Sequence, residues 1–256
     1  MTEDDKGKCG SHGFGQAMKA VVVLSGPASG LGRELLTALL ASCVPTIAVG
    51  RRLDRLAGEF PAASGLLVMI DVDLADLLKP GATENLDHRL GQALDKADAD
   101  SIVLLNNAGV ISPIGRVGDV APGALHDALS VNLLAPMVLT TACARHARSL
   151  GGGLVVMNIS SGAALRPLPG WSAYCATKAA TRMYFEVLAV ESPAFEVHQI
   201  DPGAMDTAMQ ETVRASSPEQ FPLVEHFSVL KEEGRLKPSA VVAAEIVERI
   251  LARTRQ

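Results

Sequence analysis

Runs of consecutive apolar residues alternate along this chain with longer stretches in which apolar residues recur every three or four positions. The runs predict strands buried on both faces of a parallel sheet, and the periodic stretches predict helices that cover those faces. The predicted strands are 19–24, 46–50, 66–72, 102–105, 153–159 and 196–200. The predicted helices are 31–42, 83–97, 122–148, 171–192 and 239–252. This alternation predicts an α/β fold: a Rossmann-type, doubly wound parallel sheet of about six strands with helices on both faces.

Two segments fall outside this alternation. Residues 1–18 are polar and Gly-rich and lack the apolar stretch of a secretory signal, so we expect a flexible N-terminal tail. Residues 208–237 are polar and mixed in character, contain Pro218 and Pro222, and are expected to form a mobile lid. The chain of 256 residues is 48% hydrophobic, which suffices for one core, and we expect residues 19–256 to form a single domain.

The charge balance and the cysteines argue against several classes of protein. With 23 Lys and Arg against 28 Asp and Glu, the chain has no basic excess for neutralising phosphates, so we expect no nucleic-acid partner. The longest charge-free apolar stretch, residues 35–50, contains Pro45 and changes from helical to strand character, so we expect no membrane span. The four cysteines form no C-x-x-C pair, which argues against a zinc site and a disulfide scaffold. We expect no metal and a reducing, cytoplasmic location.

A glycine-rich turn, Ser25 to Gly32 with the spacing G-x-x-x-G-x-G, joins the first strand to the first helix. The backbone N–H groups of such a turn and the helix N-terminus after it can face a pyrophosphate, although a tight turn without a ligand uses the same glycines. After the second strand, Gly50 precedes Arg51 and Arg52, where NAD-binding folds place an acidic residue for the ribose 2′-hydroxyl. Guanidinium groups suit a 2′-phosphate, so the sequence favours NADP(H) over NAD(H); two solvated arginines are the alternative.

Polar residues follow the third and fourth strands and recur within the helix after them. Asp71 and Asp73 stand at the end of the third strand, where a carboxylate could meet an adenine amino group or cap the next turn, and we favour Asp73 over Asp71. The fourth strand ends in N-N-A-G, residues 106–109, whose small residues and amides permit close approach of a cofactor. In the next helix, Pro136 is expected to cause a kink and to free a carbonyl near Asn132, where a water could be held.

The segment from Asn158 to Lys178 carries the clearest chemistry. It runs from the fifth strand through two serines and a Pro/Gly-rich loop into a helix with Tyr174 and Lys178. Residues four apart on a helix have Cβ atoms about 5–6 Å apart, so the ammonium is expected to lower the pKa of the phenol, ordinarily about 10. With a serine at the strand end, this arrangement indicates a general acid that protonates a carbonyl oxygen. A half-buried core tyrosine and a solvated lysine are the alternative.

Together these motifs resemble those of the short-chain dehydrogenase/reductase family. They are S-G-x-x-x-G-x-G, N-N-A-G, Asn132 within a helix, a serine thirteen residues before Y-x-x-x-K, and P-G after the sixth strand. The thirteen-residue offset selects Ser161 as the catalytic serine, with Ser160 as the fallback. The resemblance covers about residues 19–207 and implies the Rossmann-type catalytic domain of an NADP-dependent oxidoreductase that acts on CH–OH or C=O groups.

The resemblance also implies roles for individual residues. The implied catalytic residues are Asn132, Ser161, Tyr174 and Lys178. Tyr174 is the acid and Ser161 donates a hydrogen bond to the carbonyl oxygen. Lys178 binds the nicotinamide ribose hydroxyls and lowers the Tyr174 pKa, while Asn132 holds a water that relays protons to Lys178. The cofactor contacts that the motifs and the resemblance give are Gly26, Ser29, Gly30, Leu31 and Gly32 at the pyrophosphate, Met205 and Thr207 at the carboxamide, and Arg51, Arg52, Asp73, Leu74, Asn107, Ala108, Gly109, Tyr174, Lys178, Pro202 and Gly203.

Within the family, residues 158–210 resemble sepiapterin reductase, for example in G-W at 170–171, Y-C at 174–175 and M-D-T at 205–207. Sepiapterin reductases continue past the last helix into a strand and tail with an aspartate that anchors the pterin, whereas this chain ends in ARTRQ. Similar enzymes reduce vicinal diketones such as aryl diketones, which need no such anchor. The implied reaction is therefore NADPH-dependent reduction of a ketone or vicinal dicarbonyl compound, sepiapterin-like or an aryl diketone. The expected substrate contacts are Ser161, Leu168, Trp171 and Tyr174.

Two other functions remain compatible with these residues. An NADP-dependent alcohol dehydrogenase acting on another bulky substrate would use them in the opposite direction, although selection of NADPH, usually the reducing pool, favours reduction. A non-catalytic NADP(H)-binding sensor would share the fold, but it is expected to lack Tyr174 or Lys178. Small residues along the helix 171–192 favour association into a homodimer or tetramer through this helix and the long one before it, with intramolecular packing as the alternative.

Overall fold

The computed structural model describes residues 19–60 and 65–254, and the expected N-terminal tail, residues 1–18, lies outside them. The strands are β1 (Ala20–Ser25), β2 (Thr46–Gly50), β3 (Leu67–Asp71), β4 (Ser101–Asn106), β5 (Leu154–Ile159) and β6 (Glu196–Ile200). They form one six-stranded sheet with the order β3-β2-β1-β4-β5-β6, and every pair of neighbours is parallel. The predicted Rossmann-type doubly wound sheet is therefore confirmed.

Helices cover both faces of this sheet. They are α1 (Gly30–Ala41), α2 (Asp54–Ala57), α3 (Ala82–Asp95), α4 (Ala124–Leu129), α5 (Ala135–Leu150), α6 (Ser172–Glu191), α7 (Ala208–Arg214), α8 (Val224–Glu232) and α9 (Ser239–Thr254). Apolar side chains of α1 and α9 pack on one face, and those of α3, α5 and α6 pack on the other. Every residue of β1 and β4 is buried, which explains why these strands are apolar at consecutive positions instead of alternating ones.

The single long helix predicted for residues 122–148 is interrupted. A π-helical turn, Ser130–Leu134, separates α4 from α5, and Pro136 lies in the first turn of α5. Proline has no N–H, so it cannot donate to the carbonyl four residues earlier, which is that of Asn132. The hydroxyl of Thr181 on α6 donates to this carbonyl instead, at 2.6 Å. The expected free carbonyl thus has a partner supplied by the neighbouring helix.

Two features of the structure bear on the sequence expectations about a membrane span and about the cysteines. One helical run, Ala124–Leu150, is long and apolar enough to cross a membrane, but 61% of its most apolar window is buried inside the protein. Such burial is typical of a core helix, and Leu139 and Cys143 of this run belong to the core on the α5 side of the sheet. Cys43 is disulfide-bonded, which the scattered spacing of the cysteines did not predict, whereas Cys143 and Cys175 are free.

The segment expected to form a lid, residues 208–237, contains α7 and α8. Its centre is Phe221, which is fully buried although it lies between two surface helices. Asp206, just before α7, binds Lys231 of α8 at 2.5 Å. Lys237 returns the segment to the body of the protein by donating its backbone N–H to Ala204 at 3.0 Å. The two helices are therefore joined both to each other and to the loop after β6.

Candidate active site

Ser161, Tyr174 and Lys178 lie side by side where β5 ends. Ser161 and Tyr174 line the same cavity, and the Ser161 hydroxyl is close enough to lower the pKa of the Tyr174 phenol. The Lys178 ammonium donates to the backbone carbonyl of Ile159 at 2.9 Å, which fixes α6 to the end of β5. Ser161, and not Ser160, therefore contacts the tyrosine; the Ser160 backbone N–H instead donates to Ile200 of β6 at 2.7 Å.

Burial controls the protonation of this pair. It raises the pKa of Tyr174 to about 12, against the lowering effect of the Ser161 hydrogen bond, and the Asp201 carboxylate adds to the rise. It lowers the pKa of Lys178 to about 8, and Asp201 opposes this shift. The sequence predicted that the ammonium lowers the pKa of the phenol, whereas in the structure the pKa of Tyr174 is raised. Both side chains are 7% exposed, so lost hydration outweighs the attraction between the charged forms.

The side chain of Asn132 connects α6 to the loop after β4 through hydrogen bonds. Its amide oxygen accepts from the Val110 N–H and its amide nitrogen donates to the Val110 carbonyl, both at 2.8 Å. The same nitrogen is 3.2 Å from the hydroxyl of Thr177, which lies between Tyr174 and Lys178 on α6. Asn132 is 1% exposed and does not line the cavity described next. Its side chain thus positions the N-N-A-G loop and α6 relative to each other.

A cavity of about 540 Å³ opens at the carboxyl ends of the strands. It is continuous from the glycine-rich turn to the two lid helices. The predicted site residues that line it are Gly26, Ser29, Gly30, Leu31, Gly32, Arg51, Asp73, Leu74, Asn107, Ala108, Gly109, Ser161, Leu168, Trp171, Tyr174, Lys178, Pro202, Gly203, Met205 and Thr207. Arg52 and Asn132 do not line it. Open α/β sheets bind ligands at this edge, where the strand order reverses.

The glycine-rich turn fits a dinucleotide pyrophosphate. A Cβ on Gly32 would clash with the carbonyl oxygen of Gly26, and one on Gly26 would lie 2.8 Å from the Cα of Ala108. The side-chain amide of Asn107 donates to the carbonyl oxygens of Ser25 and Gly26, both at 3.1 Å. These contacts leave no room for side chains and hold the turn at the N-terminus of α1, where backbone N–H groups favour an anion.

The acidic residues after β3 have structural partners. Asp71 accepts from the Leu53 N–H at 2.9 Å, so its carboxylate is engaged away from the cavity. Asp73 caps the next turn by accepting from the Ala75 N–H at 3.0 Å, and it also binds Arg51 at 3.3 Å. Arg51 therefore lies at the cavity with a carboxylate beside it. Arg52 is exposed and has a positive φ of 60°.

The far end of the cavity is aromatic. Trp171 stacks on Phe221 with ring centres 4.5 Å apart and meets the edge of Tyr174 at 5.5 Å. Phe227 of α8 also contacts Trp171, with ring centres 5.5 Å apart. The expected substrate contact Leu168 packs on the same cluster. The lid helices are thus tied to the wall that contains Tyr174.

Sequence reasoning missed several residues that line this end of the cavity. Arg166 and Asp201 lie next to recognised motifs in the sequence, after the serine pair and before P-G, and their closeness to those motifs was a usable indication. Further examples are Asp127, Gln210, His226, Phe227 and Leu230. They belong to helices whose placement over the site depends on tertiary packing. In residues 19–60 and 65–254, no group of three or more His, Cys, Asp or Glu side chains is arranged to hold a metal ion.

This chain is similar to oxidoreductases of known name. A family model described as short chain dehydrogenase matches residues 20–218. Benzil reductase ((S)-benzoin forming) of Bacillus cereus is 32% identical over 236 residues, which covers 88% of this chain and 91% of that protein. Sepiapterin reductase of Bos taurus is 30% identical over 261 residues, covering 96% and 92%. The crystal structure of the KRED1-Pglu enzyme is 26% identical, with a TM-score of 0.76 over 90% of this chain and 93% of that one. The glycine cradle, the Ser161–Tyr174–Lys178 row and a family match over most of the chain agree: this protein belongs to the short-chain dehydrogenase/reductase family of oxidoreductases.

Proposed function

We propose that this protein is an NADPH-dependent carbonyl reductase acting on a ketone or vicinal dicarbonyl compound. The observation that carries the proposal is that Ser161, Tyr174 and Lys178 together line the wall of a cavity that begins at a dinucleotide-sized glycine cradle. The phenol and the hydroxyl can both donate to one oxygen atom of a substrate, as carbonyl reduction requires. A cofactor sensor without activity would have no use for this arrangement.

In the proposed reaction, bound NADPH supplies a hydride to the carbonyl carbon. Ser161 donates a hydrogen bond to the carbonyl oxygen and stabilises the negative charge that develops there. Tyr174 transfers its phenolic proton to that oxygen. Lys178 holds the ribose hydroxyls and balances the charge of the phenolate that remains. Asn132 keeps the helix that carries both groups in register with the N-N-A-G loop.

The protonation state of Tyr174 supports reduction over alcohol oxidation. With a pKa of about 12, the phenol keeps its proton at neutral pH. A protonated phenol is the form that donates to a developing alkoxide, whereas oxidation of an alcohol needs the phenolate. Alcohol oxidation with Tyr174 as the base would therefore be favoured by alkaline pH.

NADP(H) is the proposed cofactor because Arg51 lines the cavity after β2. Glycine, and not an acidic residue, ends β2. The chain therefore has no carboxylate at the position that binds the ribose 2′-hydroxyl in NAD-dependent folds. The guanidinium of Arg51 already has one anionic neighbour, Asp73, and a 2′-phosphate would add a second partner for its remaining N–H groups. Arg52 is a weaker candidate, since it does not line the cavity.

The proposed substrate is a bulky, preferably aromatic, carbonyl compound. Trp171 and Phe227 both line the cavity beside Tyr174, together with Leu168, and offer flat apolar surface to an aryl group. The similarity to the Bacillus cereus benzil reductase supports an aryl diketone, and that to the Bos taurus sepiapterin reductase supports a sepiapterin-like pterin. The aromatic wall favours the diketone.

We further propose a single catalytic domain with residues 208–237 as its lid, working in the cytoplasm as a homodimer or tetramer. The exposed apolar side chains Met183, Val187 and Val190 on α6 support association through this helix.

The direct test is NADPH oxidation by the purified protein with benzil, sepiapterin and a simple alkyl ketone in parallel. Turnover of benzil faster than the alkyl ketone supports the proposed reductase. Oxidation of bulky alcohols with NADP⁺, without reduction of any of the three carbonyl compounds, would favour the dehydrogenase instead. Binding of NADPH without any turnover would favour the sensor.

A further inference from the structure

A guanidinium without a protein partner borders the reaction site. Arg51, Arg166 and Lys178 are the arginine and lysine side chains that line the cavity. Arg51 binds Asp73 and Lys178 donates to Ile159, so both are engaged. In the part of the chain that the structure describes, the Arg166 guanidinium makes no hydrogen bond or ion pair. Arginine is the side chain best suited to bind oxygen acceptors through several N–H groups.

The guanidinium of Arg166, an exposed residue, lies close to Gly162, the residue directly after Ser161. The Nη2 and Nε atoms of Arg166 lie 3.8 and 3.9 Å from the position that a Cβ on Gly162 would occupy. These two nitrogens form the edge of the guanidinium that can donate two parallel hydrogen bonds. That edge therefore faces the backbone beside the catalytic serine and not bulk solvent alone.

The carboxylate of Asp201 also lies close to Gly162. Its Oδ2 lies 3.6 Å from the same position beside Gly162, and its Oδ1 accepts from the Gly203 N–H at 2.9 Å. No nitrogen of Arg166 is within 4.0 Å of this carboxylate, so both charged groups border the cavity beside Gly162 without forming an ion pair. A substrate oxygen in this space is repelled by Asp201 and attracted by Arg166.

A vicinal dicarbonyl compound has an oxygen atom suited to that space. When its reacting oxygen is held by Ser161 and Tyr174, the second oxygen is on the adjacent carbon, within reach of groups beside Gly162. A simple ketone has no oxygen atom on this adjacent carbon. Arg166 would also stabilise charge on the reacting centre, since a fixed cation near a developing alkoxide lowers its energy.

We propose that Arg166 is a specificity-determining residue that binds the second oxygen of substrates carrying an oxo group next to the reacting carbonyl. The inference rests on the proposed reductase function and adds a residue that selects among carbonyl substrates. The shared chemistry is an oxygen acceptor on the adjacent carbon, whether it belongs to a diketone, a 2-oxo ester or a 2-oxo acid.

The test compares benzil with deoxybenzoin, in which a methylene replaces one carbonyl group, for the wild type and for Arg166→Leu. We expect kcat/KM for benzil to fall at least about tenfold and that for deoxybenzoin to change less than about threefold. Arg166→Lys should recover part of the loss. Arg249→Leu, which removes an exposed arginine of α9 outside the cavity, is the charge-matched control and should leave both substrates unchanged. Equal falls for both substrates, or no fall for benzil, would overturn the proposal.

Two additional measurements separate the possible causes. Methyl benzoylformate and benzoylformate distinguish a neutral from an anionic second oxygen: equal losses on Arg166→Leu indicate a carbonyl, and a larger loss for the acid indicates a carboxylate. Binding is measured without turnover through the fluorescence of Trp171, the single tryptophan of the chain, which lines the cavity. If the wild type reduces none of these compounds, the proposed function fails, while the benzil-to-deoxybenzoin ratio of dissociation constants still tests Arg166. A ratio that Arg166→Leu leaves unchanged would refute the assignment of Arg166 independently of activity.

Discussion

Asn132 and Val110 are joined by two hydrogen bonds of 2.8 Å, one in each direction between the side-chain amide and the backbone. The pair connects the π-helical turn before α5 to the loop after β4. Because Asn132 is 1% exposed, water cannot replace either bond without rearrangement.

Replacing Asn132 by alanine should lower the free energy of unfolding by about 1–3 kcal/mol, since it leaves the partly buried N–H and carbonyl of Val110 without this partner. Urea denaturation measures this effect. Asn85→Ala, at an exposed position of α3, is the matched control and should change stability by less than about 0.5 kcal/mol. Similar stabilities for the two variants would contradict a structural role for Asn132.

Replacing Tyr174 by phenylalanine should lower kcat for carbonyl reduction by about 10²–10⁴-fold, because the variant keeps the ring but has no proton to donate. The chain offers a close control, since its other tyrosine, Tyr184, lies on the same helix and outside the cavity. Tyr184→Phe should retain nearly full activity. The variants should bind NADPH with equal affinity in fluorescence titrations. A Tyr174→Phe protein with wild-type turnover would rule out the proposed acid.

Replacing Arg51 by alanine should raise KM for NADPH at least about tenfold and leave KM for NADH within about threefold, because only NADPH has a 2′-phosphate. Arg52→Ala should have the smaller effect, since Arg52 does not line the cavity. Initial rates at varied cofactor concentration give both constants. Equal increases for the two cofactors would refute the 2′-phosphate assignment.

Stability should depend on pH through Lys178. Its pKa is lowered by burial from 10.5 to about 8, so between these values the unfolded chain binds more protons than the folded one. The free energy of unfolding of the cofactor-free protein should therefore rise with pH over this window and lose the contribution as the pH falls through about 8. The expected change is on the order of 2–3 kcal/mol.

Lys178→Met, which keeps the length and removes the charge, should not show this rise. The difference between wild type and variant is the quantity to measure, because Tyr174 has the opposite effect in both proteins: its raised pKa lowers stability above pH 10. Parallel pH profiles for the two proteins would contradict a buried, perturbed lysine.

Replacing Gly170 by alanine should loosen the lid. Its φ is +86°, and a Cβ there would clash with the carbonyl oxygen of Gln220 and lie 3.1 Å from the Cα of Phe221. We expect a loss of about 1–3 kcal/mol in unfolding free energy and a higher KM for aryl substrates, since Trp171 and Phe221 must move apart. Gly91→Ala, within α3 with open space around it, should instead stabilise the protein by up to about 1 kcal/mol. Thermal unfolding of the two variants checks the opposite signs.

Local sequence determined the sheet and most of the cofactor edge. The bounds of β2 and β6 agree with the predicted ones, because a short run with apolar residues between polar turns is itself the local pattern that predicts a strand. Gly26, Gly32 and Asn107 were assigned from short motifs, and the structure brings them into contact, since right-handed crossovers of a parallel sheet leave few other arrangements.

Tertiary structure alone decided the direction in which the pKa of Tyr174 is shifted. This direction depends on how much hydration each group loses on burial, and the spacing of two residues along a helix does not predict their burial. The tertiary structure also decided that Thr181 donates to the carbonyl freed at Pro136, and that Arg166 and Asp201 both lie close to Gly162. These contacts join residues from separate elements, and only the packing of α6 and the loops against the sheet sets their distances.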